Sequence, residues 1–154
     1  ALLDHRGNIV TSDDLRGRPL VMNYIYTRCP DANMCPLSTS KMGQLQKLGM
    51  EADLPVNFVS VSMDPEFDTP GVLRQYAKAY GIEGDDFYFV TGPKPAILNL
   101  LRSYGVTAIE KVDTIMHSLA TMLIDQNGEI LMRSDKSSWE PEAFLEKLES
   151  LPGT

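Results

Sequence analysis

The chain carries two cysteines, Cys29 and Cys35, with five residues between them. Their loop follows a predicted strand and leads into a predicted helix. His117 lies far along the sequence, just ahead of another predicted strand. Two thiolates and an imidazole in one pocket suit soft or borderline metals, above all copper, and the thiols also support redox chemistry. Cys29, Cys35 and His117 are therefore the candidate metal ligands, and the two cysteines are the candidate redox-active pair.

The composition narrows the class of protein. A chain of 154 residues fits one domain, and we expect a single domain over residues 1–154. The hydrophobic content of 43% is enough for a real core. The net charge of −7, without a run of lysine or arginine, argues against nucleic-acid binding and suits a basic protein partner better. No apolar stretch reaches the roughly 18 residues that a membrane span needs.

The pattern of apolar residues, prolines and turn residues predicts alternating strands and helices. Predicted strands cover residues 2–3, 9–10, 20–26, 56–62, 87–90, 119–124 and 129–132, and predicted helices cover 36–50, 70–80, 96–103 and a last segment from residue 141. The first two strands form a hairpin, and Asn127-Gly128 is a strong signal for another. Asp68-Thr69-Pro70 is a helix start with a capping side chain.

This order predicts an α/β fold of the thioredoxin-like kind. The early alternation gives parallel crossovers, and the late hairpin adds antiparallel strands. The cysteine pair stands between the first buried strand and its helix, which is typical of thioredoxin-like proteins. We therefore expect a mixed central sheet flanked by helices, with an added N-terminal β-hairpin.

The predicted fold also places the histidine. In thioredoxin-like folds, a cis-proline loop precedes the strand that starts the closing hairpin, and it faces the cysteines. No proline stands there in this chain, where Met116-His117-Ser118 takes its place. The fold thus predicts that His117 points at the cysteine loop, whereas His5 lies in a turn and is predicted to be exposed.

Local features of the loop bear on the thiols. Cys35-Pro36 stands at a predicted helix N-terminus, whose partial positive charge would lower a thiol pKa. Arg28 would add a nearby cation if its side chain turned inward. Met34 and Met116 adjoin the candidate ligands and are minor candidates for Cu(I) ligation. Three other methionines, Met22, Met42 and Met122, are predicted to pack in the core.

With these residues in view, the chain resembles the Sco/SenC family, thioredoxin-fold proteins tied to copper delivery for cytochrome c oxidase. The specific part of the resemblance is Asp64-Pro65-Glu66-Phe67-Asp68-Thr69-Pro70. The matching stretches are residues 15–21, 26–31, 59–70, 90–92, 117–118 and 123–125. The resemblance spans nearly the whole chain in the right order.

The resemblance implies that copper, as Cu(I) or Cu(II), is held by Cys29, Cys35 and His117. It implies a partner in the copper-site subunit of cytochrome c oxidase or another copper protein. It also implies an extracytoplasmic location, with a membrane anchor that precedes the present chain. The chain departs from the family at three places. Its cysteines are separated by five residues instead of three, Phe67 stands where arginine is usual, and the loop before His117 is short.

Alternative functions remain at this point. The first is an extracytoplasmic thiol–disulfide oxidoreductase, in which one cysteine of the pair attacks, the other resolves, and His117 tunes the pKa. Thr27 near Cys29 resembles a peroxiredoxin site, but the upstream proline of that motif is missing. A structural zinc site needs four ligands, and only three good ones are present.

Overall fold

The computed structural model describes residues 1–30, 32–106 and 120–152 in full, together with the backbone of residues 108–111 and 114–117. Its strands are β1 Leu2–Asp4, β2 Ile9–Val10, β3 Leu20–Ile25, β4 Asn57–Ser62, β5 Phe87–Thr91, β6 Ala108–Lys111, β7 Thr114–His117, β8 Thr121–Ile124 and β9 Ile130–Ser134. Its helices are α1 Ser12–Leu15, α2 Cys35–Glu51, α3 Pro70–Ala79, α4 Lys94–Ser103 and α5 Pro141–Glu149.

Seven strands form one mixed sheet in the order β2-β1-β5-β4-β3-β8-β9. β3, β4 and β5 run parallel, and β8 pairs antiparallel with β3. The N-terminal hairpin β1–β2 joins the sheet through an antiparallel pairing of β1 with β5. The predicted thioredoxin-like architecture, with its added N-terminal hairpin, is confirmed.

The parallel crossovers determine where functional loops can meet. Ile25 at the end of β3 is paired with Ser62 at the end of β4. The cysteine loop that follows β3 and the segment that follows β4 therefore leave the sheet at the same edge. The carboxyl ends of parallel strands are where sites are usually built in α/β sheets.

The first turn of each long helix follows from its sequence. Pro36 occupies the first turn of α2, where a missing N–H costs nothing. At α3 the capping residue is Thr69, whose side chain accepts a hydrogen bond from the Val72 N–H at 3.2 Å. Asp68, the other candidate cap, is fully buried and bonded elsewhere. The methionines predicted to be core residues, Met22, Met42 and Met122, are all buried.

Two parts of the structure were not predicted. α1 has only four residues, too few for a periodic pattern, and Asp14 in it accepts a hydrogen bond from the Thr11 N–H. β6 and β7 pair as a separate two-stranded sheet. His117 ends β7, and β8 begins at Thr121, two residues later than the predicted strand start.

A cavity of about 650 Å³ lies on the face of the sheet that α1 and α4 cover. Its lining includes Leu15, Met22, Val59 and Leu100, but neither cysteine. The cysteine site lies on the other face, where α2 packs. None of the described helices combines the length and the apolar character that a membrane crossing requires.

Candidate copper and thiol site

The two thiols lie together at the sheet edge. Cys29 stands in the turn that leaves β3, where its N–H donates to the Tyr26 carbonyl at 3.2 Å. Cys35 is the first residue of α2. The two cysteines are reduced and form no disulfide, and their side chains share a hydrogen bond. The five-residue spacing therefore still brings the two sulfur atoms into contact.

The two thiols differ in accessibility and in acidity. Cys35 is fully buried, whereas Cys29 is half-buried. The hydrogen bond with Cys29, together with burial, raises the pKa of the Cys35 thiol far above its ordinary value. Backbone hydrogen bonds at Tyr26 and Cys35 act in the opposite direction and are weaker. The prediction that the helix N-terminus lowers this pKa is wrong, because the hydrogen bond with Cys29 and the burial of the thiol together outweigh the backbone hydrogen bonds.

This asymmetry predicts the order in which the reduced thiols react. Cys29 should be alkylated by iodoacetamide on the order of tenfold faster than Cys35. The thiolate is the nucleophile in this reaction, and Cys35 is both protonated and buried away from the reagent. Peptide mapping after a short exposure measures the order. Cys29→Ser is the control, since it should leave Cys35 slow to react. Modification of Cys35 ahead of Cys29 in the parent would contradict the assignment.

A buried carboxylate anchors the start of the cysteine loop. Asp68 accepts hydrogen bonds from the backbone N–H of Thr27 at 3.2 Å, from the Thr27 hydroxyl, and from the Ser62 hydroxyl at 2.8 Å. Burial raises the pKa of Asp68, and the three hydrogen bonds oppose that shift. The loop is thus joined to the segment after β4 two residues before Cys29.

Arg28 has a different partner from the one that the sequence suggested. Its guanidinium binds the Asp64 carboxylate through Nε at 2.9 Å and Nη2 at 2.7 Å. It also lies over the ring of Phe67, 4.3 Å from the ring centroid. Arg28 therefore helps to connect the two loops, and its charge is directed to Asp64.

A hydroxyl pair lies beside the buried thiol. Thr39 follows Cys35 by one helical turn, and its Oγ1 lies 2.9 Å from the Tyr76 hydroxyl of α3. The sequence analysis did not identify this hydroxyl pair. The available signal was the i, i+4 spacing of Cys35 and Thr39, which places both on one face of α2.

The predictions for the two histidines have different outcomes in the structure. The side chain of His117 lies outside the described residues, so its approach to the cysteines stays a prediction. The same holds for Met116 as a minor candidate ligand. Within the part of the chain that the structure describes, no three histidine, cysteine or acidic side chains form a group able to hold a metal ion.

The prediction that His5 is exposed is wrong. Its side chain is buried against Phe89, and its Nδ1 accepts the Phe89 N–H at 3.2 Å. Burial lowers the pKa of His5, so the ring stays neutral. The turn that holds His5 is folded onto β5 by the long-range pairing of β1.

A sequence relative and two solved structures are similar to this chain. An SCO2-like protein of Rickettsia felis is 31% identical over 137 residues, covering 84% of this chain and 64% of the relative. The chain also matches the mitochondrial SCO2 homologues of Bos taurus and Mus musculus, and it spans about half of their length. ScoI of Bradyrhizobium japonicum, solved with copper bound, is 29% identical with a TM-score of 0.76, covering 96% of this chain and 94% of that one.

The second structure is BsSco, a member of the Sco family of cytochrome c oxidase assembly proteins, solved in work on a disulfide switch. It is 26% identical with a TM-score of 0.83, covering 97% of this chain and 88% of that one. The model of the SCO1/SenC family matches residues 1–152. The reduced cysteine pair at the carboxyl edge of the sheet agrees with this family match. The chain therefore belongs to the SCO1/SenC family.

Proposed function

We propose that this protein is a copper metallochaperone that aids assembly of the copper centre of cytochrome c oxidase. The observation that carries the proposal is the pair of reduced thiols, in hydrogen-bond contact, at the carboxyl edge of the sheet. The copper-bound state of ScoI and the assembly role of the family of BsSco support it.

The proposed ligands are Cys29, Cys35 and His117. Two thiolates are soft donors that favour Cu(I), and an added imidazole also suits Cu(II). Cys29 is half-buried, so an acceptor protein can approach its sulfur and exchange ligands there. The buried Cys35 would be the ligand on the side of the ion that faces the protein interior. Copper is thus the cargo, bound tightly enough to be carried and openly enough to be passed on.

Copper binding must displace the proton of Cys35. That thiol has a raised pKa, so it is protonated throughout the neutral range. A thiolate ligand forms only when the proton leaves, and each unit of added pH favours this by up to about tenfold for one proton released. Affinity for Cu(I) should therefore rise with pH.

A titration tests the proposal and its pH dependence together. Reduced protein should bind one Cu(I), and separately one Cu(II) with thiolate-to-copper absorption. Competition with a Cu(I) chelator at pH 6, 7 and 8, corrected for the chelator's own protonation, should show tighter binding at each step. Cys29→Ser/Cys35→Ser is the matched control. Absence of one-to-one binding in the parent would overturn the proposal, and a flat pH profile would overturn the role of the Cys35 proton.

A second function is favoured by the asymmetry of the thiols. In a thiol–disulfide oxidoreductase, the Cys29 thiolate attacks a target disulfide, forms a mixed disulfide and releases one target thiolate. Cys35 then loses its proton and attacks the Cys29 sulfur, which releases the second target thiolate and leaves a Cys29–Cys35 disulfide. Two electrons pass to the target. The half-buried attacking sulfur and the fully buried resolving sulfur fit this sequence of steps.

The partner and the location are part of the same proposal. The partner is a copper protein, specifically the copper-site subunit of the oxidase, and the net charge of −7 favours a basic docking surface on it. We propose that the protein acts on the extracytoplasmic side of the membrane, because a dithiol that cycles with a disulfide suits an oxidising compartment.

A further inference from the structure

The segment of residues 137–139, between β9 and α5, connects the cysteine loop to α2. We call it the brace. Its backbone is held by Lys41 of α2, whose Nζ donates to the carbonyls of Ser137 and Trp139, each at 2.8 Å. Two charge-assisted hydrogen bonds from one ammonium fix the path of this short segment.

The indole of the brace lies under the first turns of α2. Trp139 is buried, packs against Phe144 with ring centroids 4.9 Å apart, and points its Nε1 at Ser38 Oγ at 3.4 Å. Asn23 of β3 donates to the same oxygen at 3.2 Å. The brace is therefore fixed to both the helix and the central strand beneath the cysteine loop.

The other side of the brace contacts the cysteine loop itself. The hydroxyl of Ser137 donates a hydrogen bond to the backbone carbonyl of Asn33, two residues before Cys35. Asp68 holds the loop before Cys29, whereas Ser137 holds it between the two cysteines. The loop is thus fixed at two points that flank the Cys29 thiol.

We propose that Ser137 and Lys41 are positioning residues that keep the five-residue loop in the conformation in which the two sulfurs meet. A longer loop has more conformations to lose when its ends are brought together, so a hydrogen bond inside it has more to restrain. The brace acts on the thiols through the hydrogen bond from Ser137 to Asn33. Its consequence for copper rests on the proposed function, whereas its consequence for the thiol pair does not.

Neighbouring serines give a matched test. Ser137→Ala removes the hydrogen bond to Asn33, Ser138→Ala changes an exposed neighbour, and Ser137→Thr restores a hydroxyl. In glutathione buffers, the parent dithiol gives two electrons and two protons to oxidised glutathione and becomes the Cys29–Cys35 disulfide. We expect Ser137→Ala to lower that equilibrium constant about fivefold, the factor that follows from one ordinary hydrogen bond. Ser138→Ala and Ser137→Thr should match the parent.

Copper supplies the second readout. The Cu(I) dissociation constant of Ser137→Ala should rise by a similar factor, while its melting temperature should lie no more than about 4 °C below that of Ser138→Ala. Lys41→Met, compared with Lys47→Met on the exposed side of α2, should shift both equilibria in the same direction and further. If Lys41→Met loses its folded circular dichroism spectrum, the serine pair decides alone.

The outcomes separate the brace from the copper function. A shifted disulfide equilibrium in a protein that binds no copper would support the brace and overturn the proposed function. Equal disulfide equilibria for Ser137→Ala and Ser138→Ala would overturn the brace, whatever the copper result. A failure of Ser137→Thr to restore the parent equilibrium would also overturn it, because the hydroxyl would then not be the responsible group.

Discussion

Replacing Cys35 with serine is expected to abolish tight copper binding. Serine keeps the shape of the side chain but removes a soft thiolate, and the hydroxyl is a poor ligand for Cu(I). Loss of groups that only orient a ligand typically costs 10- to 100-fold in metal affinity, so the loss of the ligand itself should exceed about 100-fold. Chelator competition with Cu(I), and the loss of thiolate-to-copper absorption with Cu(II), measure the effect. Cys29→Ser should behave in the same way.

The two serine variants should differ in stability. Cys35 is fully buried within the core cluster, so a serine hydroxyl there lowers the free energy of unfolding by about 1–3 kcal/mol. Cys29 is half-buried, so its serine variant should change stability by less than about 0.5 kcal/mol. Cys35→Ala is the control, because it removes the ligand without burying a new hydroxyl. Unchanged copper stoichiometry and affinity in Cys35→Ser would defeat the three-ligand model and point to Met34 or Asn33.

Elements with strong local signals could be predicted from the sequence. Prolines at helix starts located α2, α3 and α5, and Gly128, with its positive φ of 85°, marked the turn between β8 and β9. α1 was missed because four residues carry no period. The paired strands β6 and β7 were missed because residues 108–117 contain no asparagine–glycine or aspartate–glycine pair, the sequence signal that predicts a two-residue turn.

Features that depend on long-range packing could not be predicted in this way. His5 occupies a polar turn, and only the pairing of β1 with β5 buries it against Phe89, 84 residues away. The prediction that the pKa of the Cys35 thiol is lowered was wrong for a similar reason. A helix start is visible in the sequence, but the hydrogen bond with Cys29 and the burial that raise the thiol pKa both depend on how the loop and α2 pack.

The candidate site likewise combines features that the local sequence predicts with features that depend on long-range packing. The cysteines were found from residue type and spacing alone, whereas the hydrogen bond between their side chains is seen only in the structure. The residues that hold their loop are ordinary polar residues, such as Asp68, Lys41 and Ser137. Nothing in their spacing indicates that they meet the cysteine loop, because the contacts join segments brought together only by the sheet.

His117→Ala is expected to weaken Cu(II) binding far more than Cu(I) binding. Two thiolates can hold Cu(I) in a linear arrangement, so its affinity should fall by no more than about tenfold. Cu(II) prefers nitrogen donors and a higher coordination number, so loss of the imidazole should reduce its affinity by more than about 100-fold and remove its absorption band. Parallel titrations of reduced His117→Ala with the two copper states measure the difference.

A variant of His5 is the control for this experiment, and an assay of thiol exchange tests the alternative oxidoreductase function. His5→Gln removes the chain's other imidazole, whose ring is buried against Phe89, so it should alter stability and leave the copper spectra unchanged. In the oxidoreductase function, His117 only tunes a thiol, so His117→Ala should change the rate and pH dependence of disulfide exchange. If His117→Ala binds both copper states as tightly as the parent while thiol exchange slows sharply, the metallochaperone function is rejected and the redox function takes its place.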